Sequence, residues 1–253
     1  MVEVSAVTLV SLLAGFVNSI AGGGGLVSLP ILLGLFPSAP PATLFGTNKA
    51  AMVWGTGWAA GAYARRVRLP WATLLPALVA AVIGGAAGAW LVTLVSADWL
   101  RRLLPALLAA VLVVIVLQPD LGSVHAPRHP GPREAVLATG AAGLLGLYDG
   151  FFGPGTGTFF IFFFVRVLGF DFLHAVACAK LLNAATNIAS LATFGCTGNV
   201  WWQYMLPMAV ANVVGSAAGA RMALRHGSPF IRGVFVVVVG CLILKAGYDG
   251  YSR

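Results

Sequence analysis

The stretch NSIAGGGGLVSLP, residues 18–30, sets four consecutive glycines, Gly22, Gly23, Gly24 and Gly25, inside an otherwise apolar segment. Glycine costs roughly 1 kcal/mol per residue relative to alanine within a helix, so the run should interrupt one. Residues 4–36 form one long apolar segment around that break. As a single helix they would measure about 50 Å, well beyond the ~30 Å hydrocarbon core of a bilayer. A hairpin resolves both difficulties. The spacing predicts two helical limbs, 5–20 and 26–36, joined at the glycines.

The rest of the chain supports a membrane setting. Of 253 residues 59% are hydrophobic and only 9% charged, too little polar surface to cover a soluble domain of this length. The mean hydropathy is +0.93. Further apolar stretches at 43–62, 71–95, 99–117, 175–194, 202–220 and 230–247 are each close to the length of a membrane-crossing helix. The expected class is therefore an all-α polytopic membrane protein, since a β-barrel would show short alternating strands. The opening MVEVSAVTLV has no basic leader and no small-residue cleavage site, so it reads as retained. Cys178, Cys196 and Cys241 make no close pair and no metal-ligand spacing, and His125, His129, His174 and His226 have no mutual spacing. No metal, cofactor or catalytic residue is expected. The net charge of +8 comes from arginines in short loops, a pattern that fits the positive-inside bias better than nucleic-acid binding.

The chain also repeats itself at an offset of 131 residues without a gap. Glu3 falls on Glu134, Gly15 on Gly146, Gly22 and Gly24 on Gly153 and Gly155, Lys49 on Lys180, and GGAAGA at 84–89 on GSAAGA at 215–220. Two membrane repeats, 1–118 and 134–253, thus flank a polar, proline-rich linker at 119–133. The second glycine break is GPGTG, 153–157, between predicted limbs 136–151 and 157–166. Loop charge distinguishes parallel from inverted repeats. With four crossings per half, the arginines divide six against six. If instead each hairpin enters and returns, nine arginines gather on one side, and only Arg101, Arg102 and Arg253 lie opposite. The expectation is two inverted repeats, each with a glycine-broken, re-entrant or two-limbed helical hairpin plus three transmembrane helices.

In that arrangement the second limb of each hairpin starts at the glycines. Its unsatisfied N–H groups and positive dipole end face the centre, a setting suited to an anion. Gly22, Gly23, Gly24 and Gly25, with Gly153, Gly155 and Gly157, are candidate substrate contacts, although glycines also serve close helix packing. Lys49 and Lys180 lie about six residues into apolar spans, where a lysine is costly unless paired, hydrated or snorkelling to the interface. Asn48, Asn183 and Asn187 could donate to the same anion or merely bridge helices. Asp149 has Asn18 as its repeat partner. It is a candidate proton carrier, or else a salt-bridge partner of Lys180 or a cap for the second limb. Lys245, with Val114 as its counterpart, reads as a snorkelling residue, and the two GxAAG segments read as packing faces.

GFVNSIAGGGGLVSLPILL followed by FGTNKAA, and GLYDGFFGPGTGTFFIFFF followed by ACAKLLNAATNIASL, resemble the two halves of the TauE/SafE sulfite exporter family over nearly the whole chain. The resemblance implies a multi-pass inner-membrane permease that moves sulfur-containing anions such as sulfite, thiosulfate or organosulfonates, often outward. Its expected partners are that small anion, membrane lipid and a second copy in a homo-oligomer, not nucleic acid. The leading expectation is a secondary transporter that is not an enzyme. An anion channel, a membrane enzyme and a non-transporting subunit are the alternatives.

Overall fold

The computed structural model describes residues 2–103, 106, 110, 128 and 131–251. The apolar stretch 99–117 and the linker 119–133 therefore lie mostly outside the described residues. Every regular element among those described is α-helical: α1 (Val2–Ala21), α2 (Gly24–Leu35), α3 (Pro41–Ala64), α4 (Trp71–Leu94), α5 (Pro132–Phe151), α6 (Thr156–Arg166), α7 (Phe172–Cys196) and α8 (Trp202–Tyr251). The last is interrupted at Gly227, where the backbone leaves helical geometry.

The hairpins form where the glycines predict them, with one shift in the first. Helix α2 begins at Gly24, so Gly24 and Gly25 are helical and only Gly22 and Gly23 make the break. The chain turns at Gly22 (φ 83°) and, in the second hairpin, at its counterpart Gly153 (φ 93°), a left-handed conformation that glycine adopts without steric cost. Helices α1, α4 and α7 are long and apolar enough to cross a bilayer. Helices α2 and α6, at 12 and 11 residues, are not.

Helix directions follow from residue-to-residue contacts. Along α1 and α8, Tyr204 donates to Glu3 (3.0 Å), Ser11 donates to the Met208 carbonyl (2.8 Å) and Ser216 donates to the Gly15 carbonyl (3.1 Å). Residue numbers rise together, so the two helices are parallel. Gly55 of α3 lies against Asn212 and Ser216, and Arg221 sits over the Trp58 ring, which makes α3 parallel to α8 as well. Against α7, by contrast, Thr43, Gly46 and Thr56 of α3 meet Asn199, Phe194 and Asn187 in falling order, so that pair is antiparallel. The turn at 65–70 reverses the chain into α4, and α5 runs parallel to α4 through Thr73–Glu134 (2.7 Å), Gly84–Gly143 and Gly88–Leu147. Helices α1, α3 and the first part of α8 thus point one way, while α4, α5 and α7 point the other.

Contacts recur at the 131-residue offset. The Tyr204–Glu3 hydrogen bond corresponds to Thr73–Glu134. A Cβ on Gly215 or Gly219 would collide with the Leu12 or Phe16 carbonyl, and one on Gly84 or Gly88 with that of Gly143 or Leu147. Because lipid is as apolar as a leucine side chain, such small-residue faces, which let backbones approach, are a main source of helix association in a bilayer. The ends of the bundle differ in charge. Arg65, Arg66 and Arg68 follow α3, Arg221 and Arg225 lie late in the first part of α8, and Arg133 and Arg166 begin α5 and end α6. Arg128 joins them by donating to the Arg166 carbonyl (2.8 Å). All of these share one end, whereas Arg101 and Arg102, beyond α4, are at the other.

Candidate functional site

The two hairpin tips meet in the interior. A Cβ at Gly22 would run into the Gly157 and Thr158 backbone, lying 2.6 Å from the Thr158 nitrogen, and a Cβ at Gly157 would fall 2.7 Å from the Gly22 Cα. Thr158 donates to the Ala21 carbonyl (3.0 Å), and Gly25 packs on Pro154. The second tip is braced by Tyr148, whose hydroxyl donates to the Pro154 carbonyl (2.6 Å), and by Thr156, which donates to Gly153 (2.8 Å).

Beside this junction lies a small cavity. Its polar wall is Asn18, Asn48, Asn183, Asn187, Lys49 and Asp149, and the backbone of Gly22, Gly25 and Gly153 also faces it. Leu29, Phe45, Met52 and Phe152 form its apolar wall. Lys49 and Asn48 come from the first half of α3, Asn183 and Asn187 from the middle of α7, and Gly25 from the first turn of α2. Of the two second limbs, α2 presents its N-terminal turn to the cavity. The start of α6 is covered instead by Gly22 and Ala21.

The two lysines have different partners. Lys49, 5% exposed, ion-pairs with Asp149 at 2.6 Å, and Thr186 donates its hydroxyl to the same carboxylate oxygen. Lys180, fully buried, donates to the main-chain carbonyl of Asn18 at the end of α1 and does not line the cavity. The expected Asp149–Lys180 bridge is therefore corrected: the lysine from the other half, Lys49, takes the carboxylate. Nor does Asp149 cap the second limb, since the residue preceding α6 is Gly155, with no side-chain cap. The reason is geometric, because each lysine reaches across: α3 packs on the first hairpin and α7 on the second, while Lys49 and Lys180 extend to the opposite tips. The two lysine contacts are themselves repeat equivalents, with Asn18 and Asp149 at matching positions.

Asn48, 3% exposed, donates to Met52 Sδ (3.3 Å), and its Oδ1 has no hydrogen-bond partner. Asn18 donates to Thr56 Oγ1 (3.0 Å), and Asn187 reaches the same oxygen (3.5 Å). Of the sequence candidates, Gly22, Gly25, Asn48, Lys49, Gly153, Asn183 and Asp149 line the cavity, whereas Gly23, Gly24, Gly155, Gly157 and Lys180 do not. Gly24 packs against Asn18 and Met52, and Gly157 against Gly22 and Asn183. Thr56 and Thr186 were missed. They are hydroxyls in apolar helices, and their repeat counterparts, Asn187 and Gly55, do not flag them as a pair. Among the described residues no group of three or more metal-ligating side chains occurs.

Comparison with known proteins places this geometry. The model of the family described as "Sulfite exporter TauE/SafE" matches residues 7–246. The chain belongs to that family. It is 36% identical over 233 residues to "Probable membrane transporter protein ORF9" of Sinorhizobium sp, covering 92% of this chain and 88% of the relative. It is likewise 36% identical over 244 residues to "Probable membrane transporter protein YfcA" of Escherichia coli K12, covering 96% and 89%. A Haemophilus influenzae "Probable membrane transporter protein" is 32% identical over 242 residues, covering 95% and 92%. No solved structure matches. The chain is a membrane transporter of the TauE/SafE family, a multi-pass protein of the bacterial inner membrane.

Proposed function

We propose that this protein is a secondary transporter that exports small sulfur-containing anions, such as sulfite or organosulfonates, and binds one anion in the cavity beside the hairpin tips. The observation that carries this reading is a buried lysine, well inside a helix of 24 residues, on the wall of an interior cavity that the middle of a 25-residue helix also lines. An ionisable group at that depth is expensive and marks a substrate path more often than a structural contact. Around it are the complements an oxyanion needs: Asn48, Asn183 and Asn187 as amide donors, and the N-terminal turn of α2 at Gly25. The apolar wall of Leu29, Phe45, Met52 and Phe152 offers a surface for the short carbon chain of an organosulfonate once the site opens.

In this reading the halves 1–118 and 134–253 are repeats of inverted topology. Support comes from the helix directions: α1, α3 and the first part of α8 oppose their counterparts α5, α7 and α4. The arginine-rich end is cytoplasmic by the positive-inside bias. The tips, held between oppositely directed halves, move as one half tilts against the other and expose the cavity alternately to each side.

The test is flux. Purified protein in liposomes is expected to carry labelled sulfite, thiosulfate or methanesulfonate saturably, with counterflow that a channel would lack. Lys49→Ala is expected to abolish that flux and the thermal stabilisation the anion gives the folded protein. Saturable flux in Lys49→Ala equal to that of the unaltered protein would sink the central site.

A further inference from the structure

The Lys49–Asp149 pair sets a problem for any anion entering the cavity, because the cation it needs is already neutralised. Their nitrogen and oxygen lie 2.6 Å apart, and both side chains are almost wholly buried. Adding an anion to this neutral pair would leave one uncompensated negative charge at mid-membrane depth, where unpaired charge costs several kcal/mol. Protonating Asp149 without an anion would leave one uncompensated positive charge. For a monovalent anion, and counting the charged side chains on the cavity wall, only two states are balanced: the pair alone, or Lys49 with the anion beside a protonated Asp149.

Resting on the anion-transport reading above, we infer that Asp149 is the proton site of the transporter, and that one proton and one anion occupy the cavity together by jointly displacing the Lys49–Asp149 ion pair. The proton goes to a carboxylate oxygen of Asp149, breaking its ionic contact with Lys49. The freed ammonium, with Asn48 and Asn183 beside it, then takes the anion. Thr186 holds the carboxyl throughout, because its hydroxyl bonds Asp149 Oδ2 and so keeps the group in place when Lys49 leaves. Asn48 Oδ1, buried and without a partner, is an acceptor on the wall to which the Lys49 ammonium can donate once it leaves Asp149.

Among the described residues, the cavity wall offers no second carboxylate for this role. From α3, Asp149 meets Lys49, and α4 carries no ionisable side chain along its length. Helix α6 has only Arg166, at its far end, and on α5 itself Tyr148 is committed to the Pro154 carbonyl, with Arg133 and Glu134 at the opposite end. On α7, Lys180 is turned away to the negative carbonyl end of α1, and His174 and Cys178 lie nearer the helix start. Helix α1 contributes Glu3 alone, again at its far end. Lys180 stays with its carbonyl partner, off the cavity wall, and the charges that meet the anion at the wall are those of Lys49 and Asp149. The other half has Asn18 where this half has Asp149, so a single carboxylate, and hence a single proton, is available per cavity.

Methanesulfonate tests this well because it is monovalent and its own charge does not change across the neutral range. Unaltered protein titrated with methanesulfonate in weak buffer is expected to take up about one proton per anion bound, with affinity falling about ten-fold per pH unit as pH rises. Methanesulfonate accumulation in liposomes should follow an imposed pH gradient and ignore an imposed membrane potential, since proton and monovalent anion together carry no net charge. Asp149→Asn, of nearly the same shape, should bind the anion without proton uptake and with a flat pH profile. Saturable flux with no proton uptake by the unaltered protein would overturn the coupling and leave the transport reading standing. So would proton uptake persisting in Asp149→Asn, which would place the proton elsewhere. Absence of binding and flux for sulfite, thiosulfate and methanesulfonate alike would overturn the transport reading, and this inference with it.

Discussion

The two hairpin tips stand at matching positions 131 residues apart, and they hold their lysines differently. At the first, Lys180 is bound by the main-chain carbonyl of Asn18. At the second, Lys49 is bound by the carboxylate of Asp149, which stands at the position matching Asn18. A main-chain carbonyl cannot change its charge, whereas a carboxylate can. The tip that kept the neutral residue reads as a fixed brace, and the tip that carries the acid as the place where charge moves. The cavity agrees with this division, since it is lined by Lys49 and Asp149 and not by Lys180.

The sharpest way to break the comparison is to remove each lysine in turn. Lys49→Met strands the buried Asp149 carboxylate and is expected to destabilise the protein by about 3–5 kcal/mol besides abolishing flux. Adding Asp149→Asn to it should recover most of that stability while flux stays absent, because no unpaired charge then remains. Lys180→Met strands only a carbonyl, at an expected cost of about 1–3 kcal/mol that no change at Asp149 relieves. Denaturation midpoints of the four variants decide the matter. Equal losses for the two lysines, or no rescue by Asp149→Asn, would mean that the tips are not functionally distinct.

A smaller effect separates the turning glycines. Both Gly22 and Gly153 have positive φ, so alanine costs roughly 1–2 kcal/mol in backbone strain at either. At Gly22 the added methyl also meets the Gly157 and Thr158 backbone, which has no room to yield. At Gly153 the nearest atoms are the Asp149 carbonyl and the end of the Lys49 side chain, all at 3.2 Å, and the lysine end can shift. Gly22→Ala should therefore lower thermal stability more than Gly153→Ala. Gly153→Ala should instead weaken anion-induced stabilisation by crowding Lys49. Identical melting temperatures would show that the contact between the tips carries little of the stability.

Much of this architecture was legible in the sequence because length and glycine placement are local signals. A 33-residue apolar segment is too long to cross once, and four glycines mark where it turns back. The 131-residue offset placed Lys49 and Lys180 as counterparts, and their helices do bring both to the tips. Which lysine meets Asp149 was not legible. That depends on each lysine reaching past the hairpin its own helix packs on to the tip of the other, a tertiary fact that no spacing along the chain encodes. The same holds for Gly155 and Gly157: they look like ligand contacts in sequence, but Gly157 packs against the opposite tip and Gly155 leads into α6 beside it. The start of α2 was misplaced by two residues because glycine's poor helix propensity was overridden where Gly24 and Gly25 pack closely on Asn18 and Pro154.

The smallest expected effect lies at the helix starts farthest from the cavity, where the halves again diverge at matching positions. Helix α7 is capped by Asp171, whose Oδ1 accepts from the backbone N–H groups of Leu173 (2.9 Å) and His174 (3.1 Å). Its counterpart before α3 is Pro40, which supplies no side-chain cap. Asp171→Ala should cost about 1 kcal/mol, the usual loss for a side-chain cap, whereas Pro40→Ala should stay within about 0.5 kcal/mol of the unaltered protein. Neither should change the proton uptake that accompanies anion binding, because both sites lie at helix ends away from Asp149. A change in that stoichiometry on replacing Asp171 would tie the helix start to the cavity and remove the separation, argued above, between the part of the second half that holds the fold and the part that moves charge.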